Sequence, residues 1–284
     1  MDWLAAVAQL RHDGVYGVLV TVCAVRGHAP RAAGAKMVVG ADHCWGTIGG
    51  GNVEECAIER ARELIADGAT EVEQFTSRLN SRERNKHGQQ CCGGEMEVLL
   101  EPLPPRPTVA IFGVGHVGFE LARILSRLEV LLHLIDSRAE QMDEIRLASI
   151  TDGPALVRVH RVLLGEGVLE HLPPGSHVLI MTHDHAEDFA LCDAAARRPD
   201  LGSVGVIGST AKWSHFTSML TEAGHSQAEI ARITCPIGGP SIVGKEPAVI
   251  AISVAAELLL AFQQCASERY FSPRHTGTSS NPRI

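Results

Sequence analysis

Apolar positions follow two rhythms along the chain, one after the other. In the N-terminal part they alternate or run in short β-branched blocks. Val18-Leu-Val-Thr-Val-Cys-Ala-Val25 is such a block, and alternation recurs around Met37–Val39, as expected of strands packed on one face. Asp42–Ile48 reads as the second arm of a hairpin, with Ala41 and Asp42 in the turn. Beyond Gly49-Gly50-Gly51 the period lengthens. Val53, Cys56, Ala57, Ala61, Leu64 and Ile65 fall on one face at helical spacing. Asn52, with Glu55 three residues on, is a capping-box arrangement, and Gly68 ends the helix. A polar stretch from Ser77 to Gln90 reads as an excursion, after which Glu95–Glu101 resumes a strand.

The second rhythm begins after a stiff run containing Pro102, Pro104, Pro105 and Pro107. Short apolar runs now alternate with helical stretches: a strand at Thr108–Phe112, a glycine turn at Gly113–Gly118, a helix at Phe119–Arg127 and a strand at Val130–Ile135 that ends on Asp136. Val178–Met181 and Ser203–Ile207 read as further strands, each followed by a helical segment. A last helix spans Ala248–Gln263, with Pro247 at its favoured first turn. Alternating strands and helices imply a parallel, doubly wound sheet. The expected architecture is α/β, with a small N-terminal α+β domain over 1–104 and a doubly wound domain over 105–265. A disordered Ser/Pro/Gly/Arg-rich tail is expected over 266–284.

Composition narrows the partners. The formal net charge is -8 with no run of Lys or Arg, so no basic face offers itself to nucleic acid. Of the 8 cysteines only Cys91 and Cys92 cluster, and no CxxC pair suggests zinc. The opening MDWLAAVAQL, with Asp2 and no positive start, argues against a signal peptide. No apolar run approaches the roughly 20 residues of a membrane helix. Reduced thiols in a cytoplasm are the expectation.

Six stretches carry chemistry. Gly113-Val-Gly-His-Val-Gly118 fits GxGxxG between a strand and a helix. Gly113 suits the tight turn, Gly115 the approach of a phosphate, and Gly118 close packing of helix on strand. Asp136 stands where a ribose hydroxyl is held in dinucleotide sites. Gly49, Gly50 and Gly51 form a second candidate anion nest, with Arg31 and Lys36 to neutralise a phosphate, although a plain strand-to-helix turn accounts for the glycines alone. Cys91-Cys92-Gly93-Gly94 presents adjacent thiols beside glycines. Soft thiolates suit a thiophilic metal such as molybdenum, and His87 would lower a thiol pKa if close. The bland alternative is one buried cysteine and one neighbour. His183-Asp184-His185, with Asp188, follows a parallel strand and reads as a polar pocket wall in preference to a metal site. Gly208-Ser209 precedes a helix, and Lys245 with Glu246 sits at the start of the last one. Both Ser209 and Lys245 are candidate ligand contacts, with cap chemistry as the alternative.

Together these stretches resemble the XdhC/CoxI family, the accessory factors of xanthine and CO dehydrogenases. The resemblance rests on Ala29-Pro30-Arg31, Gly34-Ala35-Lys36-Met37 and Gly46–Gly51 with Glu54. It continues through Gly88-Gln89 with Cys91–Gly94, the Gly113–Gly118 turn, Thr182–His185, Val206–Ser209, Cys235–Gly238 and Gly244–Ile250. The chain departs from it at His28-Ala29, where Ser or Thr usually precedes Pro-Arg, and after Lys212, where Trp213-Ser214-His215 replaces a basic stretch.

The resemblance implies an N-terminal XdhC/CoxI-type domain, a Rossmann-like C-terminal domain and a homodimer. It also implies a non-enzymatic chaperone of purine catabolism, which binds the molybdenum cofactor (molybdopterin) and inserts it into a xanthine dehydrogenase-type apo-enzyme. Cys91 and Cys92 would meet the molybdenum, and a cysteine desulfurase is a further partner. The competing readings are an NAD(P)-dependent oxidoreductase, with a nucleotide in the Rossmann-like domain, and a nucleotide-sensing regulator. Tyr16 and Tyr270 are the only tyrosines, so the oxidoreductase reading has no evident Tyr-Lys proton relay.

Overall fold

The computed structural model describes residues 1–78, 94–239 and 241–271. The chain forms two compact units, one holding Met1–Pro105 and the other Arg106–Gln263.

The first unit contains α1 (Trp3–Asp13), β1 (Gly17–Arg26), β2 (Lys36–Val39), β3 (Cys44–Gly46), α2 (Gly51–Ala66), β4 (Glu73–Arg78) and β5 (Glu95–Leu103). Its strands make one antiparallel sheet in the order β3-β2-β1-β5-β4. Alternation along β1 sends Val18, Val20 and Val22 to the side of α2. There they pack with Met37, Val39, Met96, Val98 and Leu100 against Val53, Ala57, Ala61 and Leu64 of the helix. On the opposite face Val38, with Leu19 and Trp45, meets Ala6 and Leu10 of α1.

Helix α1 was not expected from the sequence. Asp2 caps it by accepting the Ala5 N–H at 2.7 Å, and Gly14 at φ 67 ends it, which are ordinary start and stop signals. The cap of α2 is corrected: Gly50 is its N-cap residue, while Asn52 lies inside the helix and is buried. Gly49, Gly50 and Gly51, all at positive φ, turn the chain before Asn52 is reached. Two further boundaries differ. β4 runs to Arg78, into the expected excursion, and Pro102 lies in β5 opposite Val18. Its missing N–H is harmless there, because the pairing with β4 stops at Leu100.

The second unit runs β6 (Thr108–Phe112), α3 (His116–Leu125), β7 (Leu131–Asp136), α4 (Glu144–Thr151), β8 (Leu156–Arg161), α5 (Glu166–Glu170) and β9 (His177–Ile180). It continues with α6 (His185–Ala196), β10 (Ser203–Val206), α7 (Thr210–Glu222), α8 (Gln227–Ile230), β11 (Ile233–Thr234) and α9 (Pro247–Phe271), whose residues up to Gln263 belong to this unit. The six strands are parallel, in the order β11-β10-β9-β6-β7-β8, so the expected doubly wound sheet is present. Central β6 is buried along its whole length, as a strand covered on both faces requires. Val109 and Ile111 join a core with Leu121, Leu125, Leu147, Ile150, Val254 and Leu258. Ala110 and Phe112 join another with Leu169, Leu191, Cys192, Phe216 and Leu220.

Helix α3 starts at His116, inside the glycine turn, and not at Phe119. Helix α9 reaches Phe271, past the expected start of the tail, and residues 272–284 lie outside the described residues. Among the described residues no helix is long and apolar enough to cross a membrane.

A polar pair links β7 and β8 within this apolar sheet. His133 on β7 stacks on His160 of β8 with ring planes 7° apart, and its Nδ1 lies 3.0 Å from Nε2 of His160. His133 is 5% exposed, and among the described residues its own Nε2 has no hydrogen-bond partner. Burial, reinforced by His160 and Arg158, pushes the His133 pKa down from 6.5 to about 4. A base with a depressed folded pKa binds its proton in the unfolded chain first, so its contribution is intact above pH 6.5 and fades toward about pH 4. The loss amounts to at most about 3 kcal/mol. Denaturant unfolding of wild type should therefore show a falling midpoint over that window, and His133→Leu a shallower slope; identical slopes would remove His133 from the account.

Candidate functional site

The order of the parallel sheet reverses between β6 and β9. Connections leave the two strands in opposite directions there, opening a crevice at their carboxyl ends where ligands of such sheets bind. Two segments meet in it, the Gly113–Gly118 turn and Thr182–His185. Gly113 stands at φ 98, and a Cβ on it would collide with the carbonyl oxygen of Met181. A Cβ on Gly118 would collide with the carbonyl oxygen of Gly113. Packing demands both glycines.

Gly115 is different. Its φ of -71 suits any residue, and an added Cβ would find only Nη2 of Arg138, at 3.7 Å. It is also the N-cap residue of α3 and supplies no side-chain cap, so the helix presents its first N–H groups without a competing side chain.

Asp136 is where the geometry corrects the sequence reading most. It does not offer an acceptor to a ribose. Its Oδ1 accepts from the backbone N–H and Nε of Arg138, both at 2.9 Å, and its Oδ2 from Val114 N–H and Arg138 Nη2, both at 2.8 Å. Burial opposes its ionisation, but the Arg138 guanidinium and these N–H groups outweigh it and hold the carboxyl below its ordinary pKa. Arg146 braces the turn from another side. Its Nη1 donates to the carbonyls of Val114 and Gln141 at 3.0 and 2.8 Å, and its guanidinium lies 4.1 Å from the Phe119 ring centre.

Beyond Thr182 the crevice continues as a pocket of ≈ 330 Å³, lined by Thr182, His183, His185, Asp188, Ile207, Gly208, Ser209 and Lys212. Asp184 caps α6 through the N–H groups of Ala186 and Glu187, and Ser209 caps α7 through that of Lys212. Cap chemistry therefore accounts for both, while Ser209 also reaches the pocket wall. The pocket floor is ionic. Asp188 takes the Thr182 N–H and hydroxyl on Oδ1 and the Lys212 ammonium on Oδ2, and Lys212 also donates to the Ile207 carbonyl at 3.0 Å. The Asp188 and Lys212 side chains are only 1% and 12% exposed. His183 and His185 share the pocket, but His183 Nδ1 leans toward Glu187 at 4.0 Å. Burial, with Asp136 and Asp188 adding to it and His183 opposing, raises the Glu187 carboxyl. Among the described residues no group of three or more His, Cys, Asp or Glu could hold a metal ion.

In the first unit the glycine run is already filled by the chain itself. Glu54 Oε2 accepts the N–H groups of Ile48, Gly49 and Gly50 at 2.9, 3.2 and 3.0 Å, together with the Thr47 hydroxyl. Burial works against this carboxylate, and those four donors hold its pKa down. The expected nest at Gly49–Gly51 thus has an internal anion. Lys36, expected to neutralise a phosphate there, donates to Thr21 Oγ1 at 2.8 Å and lies 5.6 Å from the Trp3 ring centre. Arg31 is exposed, with its stem against Gly49. Lys245 is likewise exposed, and its backbone N–H donates to Glu246 at 3.1 Å. Cys91 and Cys92 lie outside the described residues.

Sequence reasoning missed Arg138 and Arg146. A signal for Arg138 existed: an arginine two residues after the acid at the end of a second strand belongs to the vocabulary of phosphate recognition. Arg146 follows no motif, because its partners are backbone carbonyls.

Comparison with known proteins agrees with this architecture. A family model described as the XdhC Rossmann domain matches residues 109–258, and one described as the XdhC and CoxI family matches residues 10–76. The uncharacterized protein YqeB of Escherichia coli K12 is 27% identical over 277 residues, covering 97% of this chain and 49% of that protein. The chain thus spans about half the length of this curated relative. Among solved structures, one described as a xanthine dehydrogenase from Bacillus halodurans aligns at TM-score 0.46 and 18% identity over 98% of each chain. Another, TcdA (CsdL), aligns at TM-score 0.42 and 14% identity over 57% of this chain and 88% of that one.

Two mutation series test the site. Gly113→Ala and Gly118→Ala should each cost about 2 kcal/mol or more, whereas Gly115→Ala should stay within about 0.5 kcal/mol of wild type. Equal losses in thermal unfolding would mean that Gly115 serves packing too. Asp188→Ala strands a nearly buried ammonium and should cost about 3–5 kcal/mol. Adding Lys212→Met should recover much of that loss; a double variant no more stable than the single would show that the pair is not the unit.

Proposed function

We propose that this chain, which belongs to the XdhC and CoxI family, is a maturation factor that holds the molybdenum cofactor and delivers it to a xanthine dehydrogenase-type apo-enzyme. The observation that carries the reading is the family match in both parts of the chain, residues 10–76 and 109–258. Family membership supports a role in xanthine dehydrogenase maturation; the cofactor and its insertion are the finer part of the proposal.

The residues present fit such a ligand. The cofactor carries a phosphate, and Gly115 leaves room at the start of α3 that a Cβ would fill. Its polar pterin suits walls built from His183, His185, Ser209 and Thr182. Cys91 and Cys92 are assigned to its molybdenum, which when bound brings a metal that thiolates hold well. Within the proposal the factor acts as a cytoplasmic homodimer, with a cysteine desulfurase as further partner. The competing oxidoreductase reading leans on Asp136 to hold a ribose, and both oxygens of that carboxylate are already engaged.

A carrier makes no product, so its loss should show in its client. A strain lacking this gene should make molybdenum cofactor normally yet yield folded dehydrogenase without active cofactor. Wild type should restore activity, and the Cys91→Ala/Cys92→Ala variant should not. The measurement is cofactor content of the dehydrogenase purified from each strain. Full occupancy with normal turnover in the deletion strain would end the carrier reading and return the oxidoreductase to first place.

A further inference from the structure

In a dinucleotide site, the acid at the end of the second strand accepts ribose hydroxyls, and an arginine nearby accommodates a phosphate instead. Asp136 occupies the acid's place at the end of β7, but each of its oxygens already receives two N–H donors. A carboxylate has about four lone-pair sites, and all are taken in a side chain 2% exposed. A ribose diol arriving here meets no acceptor on Asp136.

The same contact fixes Arg138. Its Nε and one N–H of Nη2 go to Asp136. Among the described residues its remaining guanidinium N–H groups have no hydrogen-bond partner, and the side chain is 25% exposed. Nη2 lies 3.7 Å from the point where a Cβ of Gly115 would stand. Gly115 has a backbone conformation that any residue adopts, so what the glycine preserves is this space. A preorganised guanidinium fork with free donors, facing a void beside capless helix N–H groups, matches the geometry of a phosphate.

We propose that the glycine-turn site selects a phosphomonoester over a ribose diol, with Arg138 as the binding residue and Asp136 as the positioning residue that holds it. The proposal deepens the carrier reading by naming the group recognised, and rests on it only for the choice of pterin ligand. A pterin phosphate and a ribose phosphate share this chemistry.

The test uses the full chain and isothermal titration with two matched pairs of probes. One pair is NADP+ and NAD+. The other is the oxidised, fluorescent pterin phosphate obtained from the cofactor, before and after phosphatase treatment. In at least one pair the phosphorylated probe should bind about tenfold or more tighter. Arg138→Gln should close that gap to about twofold, as one lost charge-assisted fork predicts. Because Arg138→Gln also disturbs Asp136, Gly115→Ala serves as a second variant: it leaves the ion pair intact and should weaken the phosphorylated probe alone.

A preference in the pterin pair supports both this site and the carrier reading. A preference for NADP+ with neither pterin probe bound upholds the phosphomonoester site while counting against the carrier. Binding of the pterin regardless of its phosphate keeps the carrier, and it overturns this proposal where NADP+ binds no tighter than NAD+. Equal binding of NAD+ and NADP+ with no pterin preference, failure of all four probes to bind, or a gap that survives both variants overturns it as well.

Discussion

A single buried carboxylate organises the ligand end of the second unit. Asp136 ends β7, holds the backbone of the glycine turn through Val114 N–H and clamps the Arg138 guanidinium in a two-point contact. Each contact alone is modest, since an ordinary hydrogen bond contributes about 1 kcal/mol net. Their convergence matters more. With Gly113 pressed against the carbonyl of Met181 and Gly118 against that of Gly113, the turn has no freedom to relax toward β9 or α3. The open side at Gly115 is therefore a fixed feature of the fold.

The two units use the same device with opposite results. Each has a glycine-rich turn before a helix, and in each a carboxylate from the chain binds turn N–H groups. Glu54 is carried by the helix that the turn introduces, so it reaches back and takes the N–H groups of Ile48, Gly49 and Gly50 together. Asp136 comes from the neighbouring strand, reaches only the Val114 N–H and stops short of the helix start. Distance along the chain decides the outcome. A carboxylate three residues into the helix fills the nest, whereas one arriving from β7 shapes it and leaves it open.

This difference explains what the sequence could reveal. The β6 run, the glycine turn, β7 and the parallel, doubly wound arrangement were legible, because a strand covered on both faces must be apolar throughout and the turn must carry glycines. Helix α1 escaped because its apolar stripe is weak, although Asp2 and Gly14 mark its ends. Strand β8 escaped because it edges the sheet and Arg158, His160 and Arg161 interrupt its apolar run. At the site, the glycines and the His183–His185 segment were found by motif. The partners of Asp136, Glu54 and Asp188 were not, since a carboxylate's availability depends on which donors the fold brings to it.

Charge at the crevice is balanced locally, and this shapes how an anion would be received. Asp136 is matched by Arg138 and Asp188 by Lys212, each within one contact. Glu187 feels both pairs: its carboxyl is raised by burial and by Asp136 and Asp188, with His183 and a hydrogen bond to Thr182 opposing. A phosphate bound near Arg138 would add a like charge and raise that carboxyl further, favouring its neutral form. Selectivity in such a site comes from directed donors at fixed positions more than from bulk positive charge. That is consistent with a chain of net charge -8, in which Arg138 owes its position to a carboxylate unavailable for anything else.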